Sequence, residues 1–336
     1  MKDKIQIIAE AGVNHNGNIK LAKKLVRIAK NSGADYVKFQ YFNPNYLTTN
    51  FSKQADYQKK TFKQTNNSQK IMLKKLSLSL KQLNEIYNYC KLQKIKFALS
   101  VFDHLSLKNI IKFNLDFIKI PSGEITNFPL LKGVAKMNKK IILSTGMCNN
   151  SEIKNALKVL KKYNLSRKKI VLLHCTSNYP AREDEVNISS IVQIKKKFRL
   201  EVGYSDHTIG NEAANISVAY GVRIFEKHFT ISKKMRGPDH AASLNPNELK
   251  DYINSLKKSV KIIGSGMKMV SKSERKNLQV IRKSIYATKT ITKGDIFSEE
   301  NILPKRPFNK NNPMDWDKLI GKKARKNYKI DDEIKI

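Results

Sequence analysis

The sequence predicts a (β/α)8 barrel, also called a TIM barrel, followed by a small β-rich domain. From residue 5 to about residue 262, short apolar runs alternate with helical stretches, and this unit occurs eight times. Eight β-α units in about 260 residues match the barrel in number and in size. A doubly wound open sheet is the alternative, but such a sheet rarely carries eight units of this regularity.

Each predicted strand is a short apolar run bounded by polar turn residues, and each predicted helix has apolar residues at three- and four-residue spacing. The strands are predicted over residues 5–12, 36–42, 96–102, 117–123, 140–146, 170–177, 201–207 and 223–230. The clearest helices are predicted over residues 21–31, 80–93, 151–163 and 247–263. An insertion over residues 43–79, rich in Asn, Gln, Lys and Ser, interrupts the alternation, and we expect an active-site loop with some helix there.

The pattern changes after residue 263, which predicts a second domain. We expect a catalytic barrel over residues 1–263, a linker over 264–281 and a small domain over 282–336. Short β-like pieces with tight turns are predicted in the small domain over residues 284–290, 302–304 and 319–324. A segment of about 55 residues is short for a hydrophobic core of its own, so we expect it to pack against the barrel or a partner subunit.

The formal net charge of +37 is extreme and raises the question of a nucleic-acid or other polyanionic partner. The lysines, however, recur in nearly every predicted helix, as at Lys23-Lys24 and Lys257-Lys258, instead of forming one patch. No nucleic-acid-binding motif is visible in the sequence. We therefore predict no nucleic-acid partner, and we expect the positive charge to attract small anionic substrates.

Three features of the sequence predict a cytoplasmic protein. No run of eighteen apolar residues occurs, so we expect no membrane span. The first residues lead directly into a predicted strand and show no secretory signal. The three cysteines, Cys90, Cys148 and Cys175, are widely separated and form neither a disulfide framework nor a CxxC metal motif.

His207 and His228 each end an apolar run that is predicted to be a buried strand, and the two runs are one strand–helix–strand step apart. The carboxyl ends of barrel strands meet on one face, where barrel enzymes place their chemistry, so the two imidazoles should lie side by side. Imidazole is a common ligand for divalent metals. Two unrelated core histidines are the alternative, but other polar residues end neighbouring strands in the same way, which favours a metal pair.

Lys38 and Lys119 lie inside apolar strands, where a lysine is unfavourable unless it meets an anion. Together with nearby hydroxyl and glycine residues they suit a phosphate or carboxylate. Ion pairs with barrel carboxylates, or a single Schiff-base lysine, are the alternatives. Two lysines and two histidines together favour a metal-assisted reaction of an anionic phosphate ester. Glu10, at the end of the first strand, is a candidate general base or cation stabiliser.

These strand ends give the chain a recognisable set of motifs. It resembles the bacterial sialic acid synthase family, the N-acetylneuraminate synthases. The matching stretches of the barrel are residues 9–17, 37–40, 119–124, 143–147, 174–177, 179–180, 205–207, 226–230 and 237–240. The C-terminal part is similar to the antifreeze-like (SAF) domain of that family over residues 273–277, 282–284, 305–307 and 321–322. The resemblance covers essentially the whole chain.

The resemblance implies a phosphoenolpyruvate-dependent transferase that forms a C–C bond. Members condense phosphoenolpyruvate with N-acetylmannosamine and water to give N-acetylneuraminate and phosphate. A legionaminate or pseudaminate-type synthase, which uses a 2,4-diacetamido-6-deoxy hexose, is the alternative because that sugar shares the same aldehyde chemistry. A Schiff-base aldolase and a non-catalytic polyanion-binding protein are more distant alternatives.

The resemblance also implies roles for individual residues. His207 and His228 would hold Mn²⁺, or Mg²⁺ or Co²⁺, and would be catalytic together with Glu10, which would sit by the cationic centre formed at C2 of phosphoenolpyruvate. Arg306 would reach the sugar's N-acetyl group from the small domain of the other subunit, in a domain-swapped homodimer. The substrate-binding residues implied are Lys38, Gln40, Ser100, Lys119, Ser122, Glu124, Ser177, Tyr179, Ser205, Asp239 and Arg306.

Two departures from the family pattern concern the substrate loops. Phe308 follows Lys305-Arg306-Pro307, where many members have glycine, so the loop that presents Arg306 is expected to differ. The third strand ends in Ser100-Val101-Phe102, where Thr-Pro-Phe is usual, so the hydroxyl is kept but the turn is less rigid. We expect both changes to affect sugar specificity more than the type of reaction.

Overall fold

The computed structural model describes residues 4–61 and 68–335. The chain divides after Gly264 into two compact units. Part of the predicted active-site loop, residues 62–67, lies outside the described residues. Within the described chain, no helix is both long and apolar enough to cross a lipid bilayer.

In the first unit eight parallel strands form a closed barrel, which confirms the predicted (β/α)8 architecture. Strand β1 pairs with both β2 and β8 and so closes the sheet. Most strands end one to three residues earlier than predicted, because the polar residues at their ends already belong to the connecting loops. The strands are β1 (Gln6–Gly12), β2 (Tyr36–Tyr41), β3 (Lys96–Val101), β4 (Ile118–Ile120), β5 (Ile141–Ser144), β6 (Ile170–His174), β7 (Glu201–Asp206) and β8 (Ile224–His228).

Helices surround the barrel, and their ends follow from local sequence signals. The first begins after Asn18, whose side chain accepts hydrogen bonds from the backbone N–H groups of Lys20 and Leu21, and it ends at Gly33 with φ of 86°. The helices of the first unit are α1 (Ile19–Ser32), α2 (Pro44–Leu47), α3 (Asp56–Thr61), α4 (Gln69–Leu76), α5 (Leu80–Leu92), α6 (His104–Ile110), α7 (Phe128–Lys136), α8 (Asn150–Lys162), α9 (Ser190–Phe198), α10 (Glu212–Ala219) and α11 (Pro246–Ile263).

In its described part, residues 43–61 and 68–79, the predicted loop contains helices α2, α3 and α4. Helix α4 contributes three buried apolar side chains to a small cluster at the end of the barrel that contains the strand carboxyl termini. The cluster is made of Val13, Phe42, Met72, Leu73 and Leu76. The insertion is therefore folded against the barrel through its own apolar residues.

The interior of the barrel has an apolar layer below a polar one. Ile8, Tyr36, Ala98, Phe117, Ile142, Val171, Leu173 and Ile224 form a buried cluster, and they share the inward face of their strands. Side chains of a strand return to the same face every second residue, so the next inward residues are polar. These residues are Glu10, Lys38, Ser100, Lys119, Ser144 and Glu226. Strand alternation thus builds a buried polar layer at the face where barrel active sites form.

The second unit has its own secondary structure and its own core. It contains α12 (Lys272–Ile281), an antiparallel pair of β9 (Ser284–Ala287) and β10 (Ile302–Lys305), and α13 (Trp316–Leu319). The predicted linker over residues 264–281 is therefore partly helical. The expected β-like piece over 319–324 starts at the end of α13, and its only ladder contact in the described chain is an isolated bridge between Ile296 and Lys323.

The expectation that this segment lacks a core of its own is wrong. A cluster of buried apolar side chains fills the second unit, because its short strands and turns direct apolar residues inward from many separate segments. The cluster comprises Ile285, Ala287, Ile291, Phe297, Ile302, Leu319, Ala324, Tyr328 and Ile334.

Candidate active site

Lys38 is at the centre of a buried polar cluster inside the barrel. Its Nζ lies 2.8 Å from Oε2 of Glu10 and 3.6 Å from Oε2 of Glu226, and it donates a hydrogen bond of 2.7 Å to Oγ of Ser100. Gln40 donates from Nε2 to Oε1 of Glu10 at 3.0 Å. The structure therefore brings together four of the predicted site residues. It also gives Lys38 the carboxylate partners that we considered as an alternative to an anion ligand.

Lys119 approaches the same cluster from β4. Its Nζ donates to Oγ of Ser144 at 2.7 Å and lies 3.5 Å from Oε1 of Glu226. Burial lowers the pKa of Lys119, although the charge of Glu226 acts in the opposite direction. For Lys38 burial also lowers the pKa, but the charges of Glu10 and Glu226 outweigh this effect and raise it. Lys119 is therefore stabilised less by carboxylates than Lys38 is.

Glu226 is a central residue that was not among the site residues predicted from the sequence. It lies between the two lysines and accepts a hydrogen bond of 3.0 Å from Oγ of Ser205. Burial would raise its pKa, but the charges of Lys119 and Lys38 lower that pKa to about 2. Strand alternation could have identified it, because it occurs two residues before His228 and so shares the inward face.

In Glu10, unlike Glu226, the effect of burial on the pKa outweighs the effect of the nearby lysine. Burial raises its pKa, and the nearby Lys38 reduces that effect while Glu226 adds to it. A carboxylate with a raised pKa inside a barrel accepts a proton more readily than an exposed one. The role of Glu10 as a general base stays a prediction.

The two histidines lie together as expected. The ring centroids of His207 and His228 are 5.6 Å apart, and the ring of Tyr179 lies 4.2 Å from the first and 5.4 Å from the second. Burial lowers the pKa of both histidines to about 3. Each imidazole is therefore neutral near pH 7, which is the form that binds a metal ion.

The hydrogen bonds of the histidines fit a metal ion. Nδ1 of His207 is 2.7 Å from the carbonyl oxygen of Thr176, and a carbonyl can only accept, so Nδ1 carries the proton and Nε2 keeps its lone pair. Nδ1 of His228 is buried and has no hydrogen-bond partner among the described residues. Within residues 4–61 and 68–335, no group of three or more His, Cys, Asp or Glu side chains is arranged around one point. The described residues therefore offer a possible metal ion two imidazoles and no third ligand of these types.

Ser122 and Ser177 meet at Gly146, two residues after Ser144, the hydroxyl partner of Lys119. The N–H of Gly146 donates to Oγ of Ser122 at 3.0 Å, and Oγ of Ser122 lies 3.1 Å from Sγ of Cys175. A Cβ atom added to Gly146 would collide with Oγ of Ser177 and lie 2.9 Å from Oγ of Ser122. The absence of a side chain at Gly146 therefore lets the hydroxyls of Ser122 and Ser177 and the thiol of Cys175 lie close together.

A cavity of about 380 Å³ opens above the polar layer. Its lining includes the predicted substrate-binding residues Gln40, Glu124, Tyr179 and Asp239, together with His228. Burial, and then the charge of Glu10, raise the pKa of Asp239 to about 7. Burial also raises the pKa of Glu124. The insertion over residues 43–79 contributes both polar and apolar side chains to the lining, and these are Leu47, Thr48, Gln58, Gln69, Met72, Leu73 and Leu76.

Arg306 belongs to the second unit, where its Nε donates to the carbonyl oxygen of Ile281 at 2.8 Å. Its expected contact with a sugar in another subunit stays a prediction. The other predicted site residues all lie in the barrel unit.

Two lysines, two carboxylates and two neutral imidazoles are thus buried at the strand ends of a barrel, the place where enzymes of this fold have their active sites. Residues 25–268 match the NeuB family, and residues 282–334 match the SAF domain. The chain therefore belongs to the NeuB family. The enzymes of this family are phosphoenolpyruvate-dependent transferases that form a C–C bond, which confirms the resemblance seen in the sequence.

Individual relatives extend this similarity over the whole chain. The chain is 49% identical over 332 residues to N,N'-diacetyllegionaminic acid synthase of Campylobacter jejuni, which covers 99% of each sequence. It is 40% identical over 326 residues to the enzyme of the same name from Legionella pneumophila, covering 96% of this chain and 90% of that one. The crystal structure of N-acetylneuraminic acid (sialic acid) synthetase from Leptospira borgpetersenii is similar with a TM-score of 0.71 and 30% identity, over 82% of this chain and 91% of that one.

Proposed function

We propose that this enzyme condenses phosphoenolpyruvate with a 2,4-diacetamido-6-deoxy hexose and water to give N,N'-diacetyllegionaminic acid and phosphate. The observation that carries this proposal is the higher identity, 49% and 40%, to two relatives with that product. The sialic acid synthetase of Leptospira is 30% identical. These values favour the legionaminate alternative over N-acetylmannosamine, the sugar that the sequence analysis placed first.

Membership of the NeuB family favours this synthase over a Schiff-base aldolase and over a polyanion-binding protein. The two lysines support the same choice, since an anionic ester with a phosphate and a carboxylate offers a partner to each ammonium. Lys119, which has one carboxylate partner at 3.5 Å, would hold one anionic group together with Ser122 and Ser177. Lys38, with Ser100, would hold the other.

His207 and His228 would hold Mn²⁺, or Mg²⁺ or Co²⁺, and the bound ion would supply a Lewis acid beside the sugar aldehyde. The chain's part is to keep both imidazoles neutral by burial and to fix the tautomer of His207 through the carbonyl of Thr176. Tyr179 packs against both rings and restricts their orientation.

Glu10 would lie next to the carbon that becomes cationic when C3 of phosphoenolpyruvate attacks the aldehyde. A C–C bond forms in that step, and the aldehyde oxygen takes up a proton. Glu10 would stabilise the positive charge at C2 and accept a proton from the water that adds there, while Gln40 holds its carboxylate at 3.0 Å. Cleavage of the C2–O bond then releases phosphate. Asp239, Glu124 and Tyr179 line the cavity where the sugar would bind.

We further propose that the enzyme works in the cytoplasm as a domain-swapped homodimer in which Arg306 contacts the N-acetyl group bound by the partner. The net charge of +37 would favour encounter with anionic phosphoenolpyruvate.

The test is a phosphate-release assay with phosphoenolpyruvate, Mn²⁺ and a panel of amino sugars. We expect a higher kcat/KM with a 2,4-diacetamido-6-deoxy hexose than with N-acetylmannosamine. Preference for N-acetylmannosamine would contradict the proposed sugar but leave the type of reaction intact. No phosphate release with any sugar of the panel, from folded and Mn²⁺-loaded enzyme, would contradict the reaction itself.

A further inference from the structure

Asp206 and Lys227 form an ion pair on the helix-facing side of the two strands that carry the histidines. Nζ of Lys227 lies 2.9 Å from Oδ2 of Asp206, and both side chains are almost completely buried. The two residues are register partners in the β7–β8 ladder. Successive side chains of a strand point to opposite faces, so this pair lies directly behind His207 and His228.

Lys227 also forms a hydrogen bond with Thr208, the residue that follows His207 in the chain. Its Nζ donates to the carbonyl oxygen of Thr208 at 2.6 Å. Oδ1 of Asp206 accepts from the backbone N–H of Thr208 at 2.9 Å and from its hydroxyl at 2.7 Å. Asp206 and Thr208, which precede and follow His207, are therefore both bonded to Lys227, the residue that precedes His228.

The surroundings of the pair exclude water. The ring centroid of Tyr252, in α11, lies 5.3 Å from Nζ of Lys227, and Tyr252 is itself buried. A buried ion pair adds little net stability, because the desolvation of both charges offsets their attraction. It does fix geometry, because both charged groups are also hydrogen-bonded to Thr208 and so tie the ends of the two strands together.

We propose that Asp206 and Lys227 are positioning residues that set the separation of His207 and His228 and thereby the affinity of the site for a divalent cation. This inference rests on the metal site of the proposed function. Ring centroids 5.6 Å apart allow one nitrogen of each ring to reach the same ion at about 2.1 Å. A shift of either strand end would move one nitrogen out of reach.

The direction in which Lys227→Met changes the affinity for Mn²⁺ distinguishes a positioning role from a purely electrostatic one. Lys227→Met removes a positive charge close to the cation and leaves Asp206 as an unpaired negative charge. Electrostatics alone would therefore strengthen Mn²⁺ binding in this variant. Loss of positioning would weaken it, on the scale of 10- to 100-fold that supporting residues of metal sites show.

The experiment is a titration of metal-free protein with Mn²⁺, followed by electron paramagnetic resonance of the free ion, so that turnover is not needed. The proteins are wild type, Lys227→Met, Lys227→Arg and the double variant Asp206→Asn/Lys227→Met. The matched control is Lys96→Met, which breaks an exposed ion pair with Asp116 at the start of β3. Circular dichroism establishes that each protein compared is folded.

We expect affinity to fall at least tenfold in Lys227→Met and in the double variant, to stay within about threefold of wild type in Lys227→Arg, and to be unchanged in Lys96→Met. The double variant contains no unpaired buried charge, so it tests the inference even if Lys227→Met does not fold. If the folded double variant binds Mn²⁺ as tightly as wild type or more tightly, the positioning role is wrong, but the metal site itself is not affected. Wild-type protein that binds no Mn²⁺ would overturn the metal site as well.

Discussion

Nζ of Lys38 lies 2.8 Å from Oε2 of Glu10, and both side chains are almost completely buried inside the barrel. The two residues are register partners in the β1–β2 ladder, so the contact follows directly from strand pairing. It joins a residue predicted to hold an anion to a residue predicted to act as a base. An anionic substrate would therefore share the ammonium of Lys38 with Glu10, and the charges of substrate and base would be coupled.

Glu226→Gln should lower the free energy of unfolding by about 3–5 kcal/mol, because both buried lysines lose the carboxylate between them. Phosphoenolpyruvate should then stabilise the variant more than wild type, since its anionic groups would compensate the same ammonium groups. Urea unfolding with and without phosphoenolpyruvate measures both effects. Glu248→Gln, in a half-exposed pair with Lys233, is the control and should change stability by less than about 1 kcal/mol. Equal stabilisation of variant and wild type by phosphoenolpyruvate would count against this reading of Glu226.

Removal of divalent metal should abolish turnover. We expect EDTA treatment to stop phosphate release and Mn²⁺ to restore it, because the two neutral imidazoles fit an ion that polarises the aldehyde. His207→Ala should lower kcat roughly 100-fold or more. Full activity of rigorously metal-free enzyme would exclude the metal role.

Lys119→Met should raise the KM for phosphoenolpyruvate roughly 10- to 100-fold, because a charge-assisted contact of about 1.5–3 kcal/mol is lost. Steady-state kinetics at saturating sugar measure the change. Lys96→Met, at an exposed position, should leave this KM unchanged. A wild-type KM in folded Lys119→Met would show that Lys119 does not bind the substrate anion.

Acidification should destabilise the protein through its buried histidines. Burial, together with the charge of His240, lowers the pKa of His15 from 6.5 to about 4. Between these two pH values the unfolded chain therefore binds more protons than the folded one. The contribution of His15 to the free energy of unfolding is complete above pH 6.5 and is lost as the pH falls towards 4. The full contribution of His15 is up to about 3 kcal/mol.

Urea unfolding at pH 7 and pH 5 measures this loss. We expect His15→Asn to lose less stability over this interval than wild type. His104→Asn, at an exposed position, should keep the wild-type pH dependence. An identical pH dependence in His15→Asn and wild type would contradict a buried neutral His15.

Two inactive variants should complement each other if the small domain completes the site in another subunit. Arg306→Ala keeps an intact barrel, and Glu10→Ala keeps an intact small domain. Mixed dimers would contain one site with both defects and one site with neither, so about half of the sites of a wild-type dimer should work. Phosphate release by co-expressed, co-purified protein tests this. Activity no higher than that of either parent would place the complete site within one chain.

Strand alternation was sufficient to predict much of the barrel and its polar layer. The eight strands are confirmed, and the histidines, the lysines and Glu10 are all buried at one face. These predictions succeeded because the two-residue period of a strand is local and is written directly in the sequence. The core of the second unit was not predicted, because it is assembled from short segments that lack a clear period.

The sequence by itself determined the type of fold, the family and the set of polar residues at the strand ends. Only the tertiary structure decided which of these residues are partners. Glu226 lies between Lys38 and Lys119, and Asp206 meets Lys227 behind the histidines, because barrel closure and strand register bring distant segments to within 4 Å. Such pairings depend on the stagger of neighbouring strands and on the burial that follows from it, and neither quantity can be obtained from a local pattern of residues.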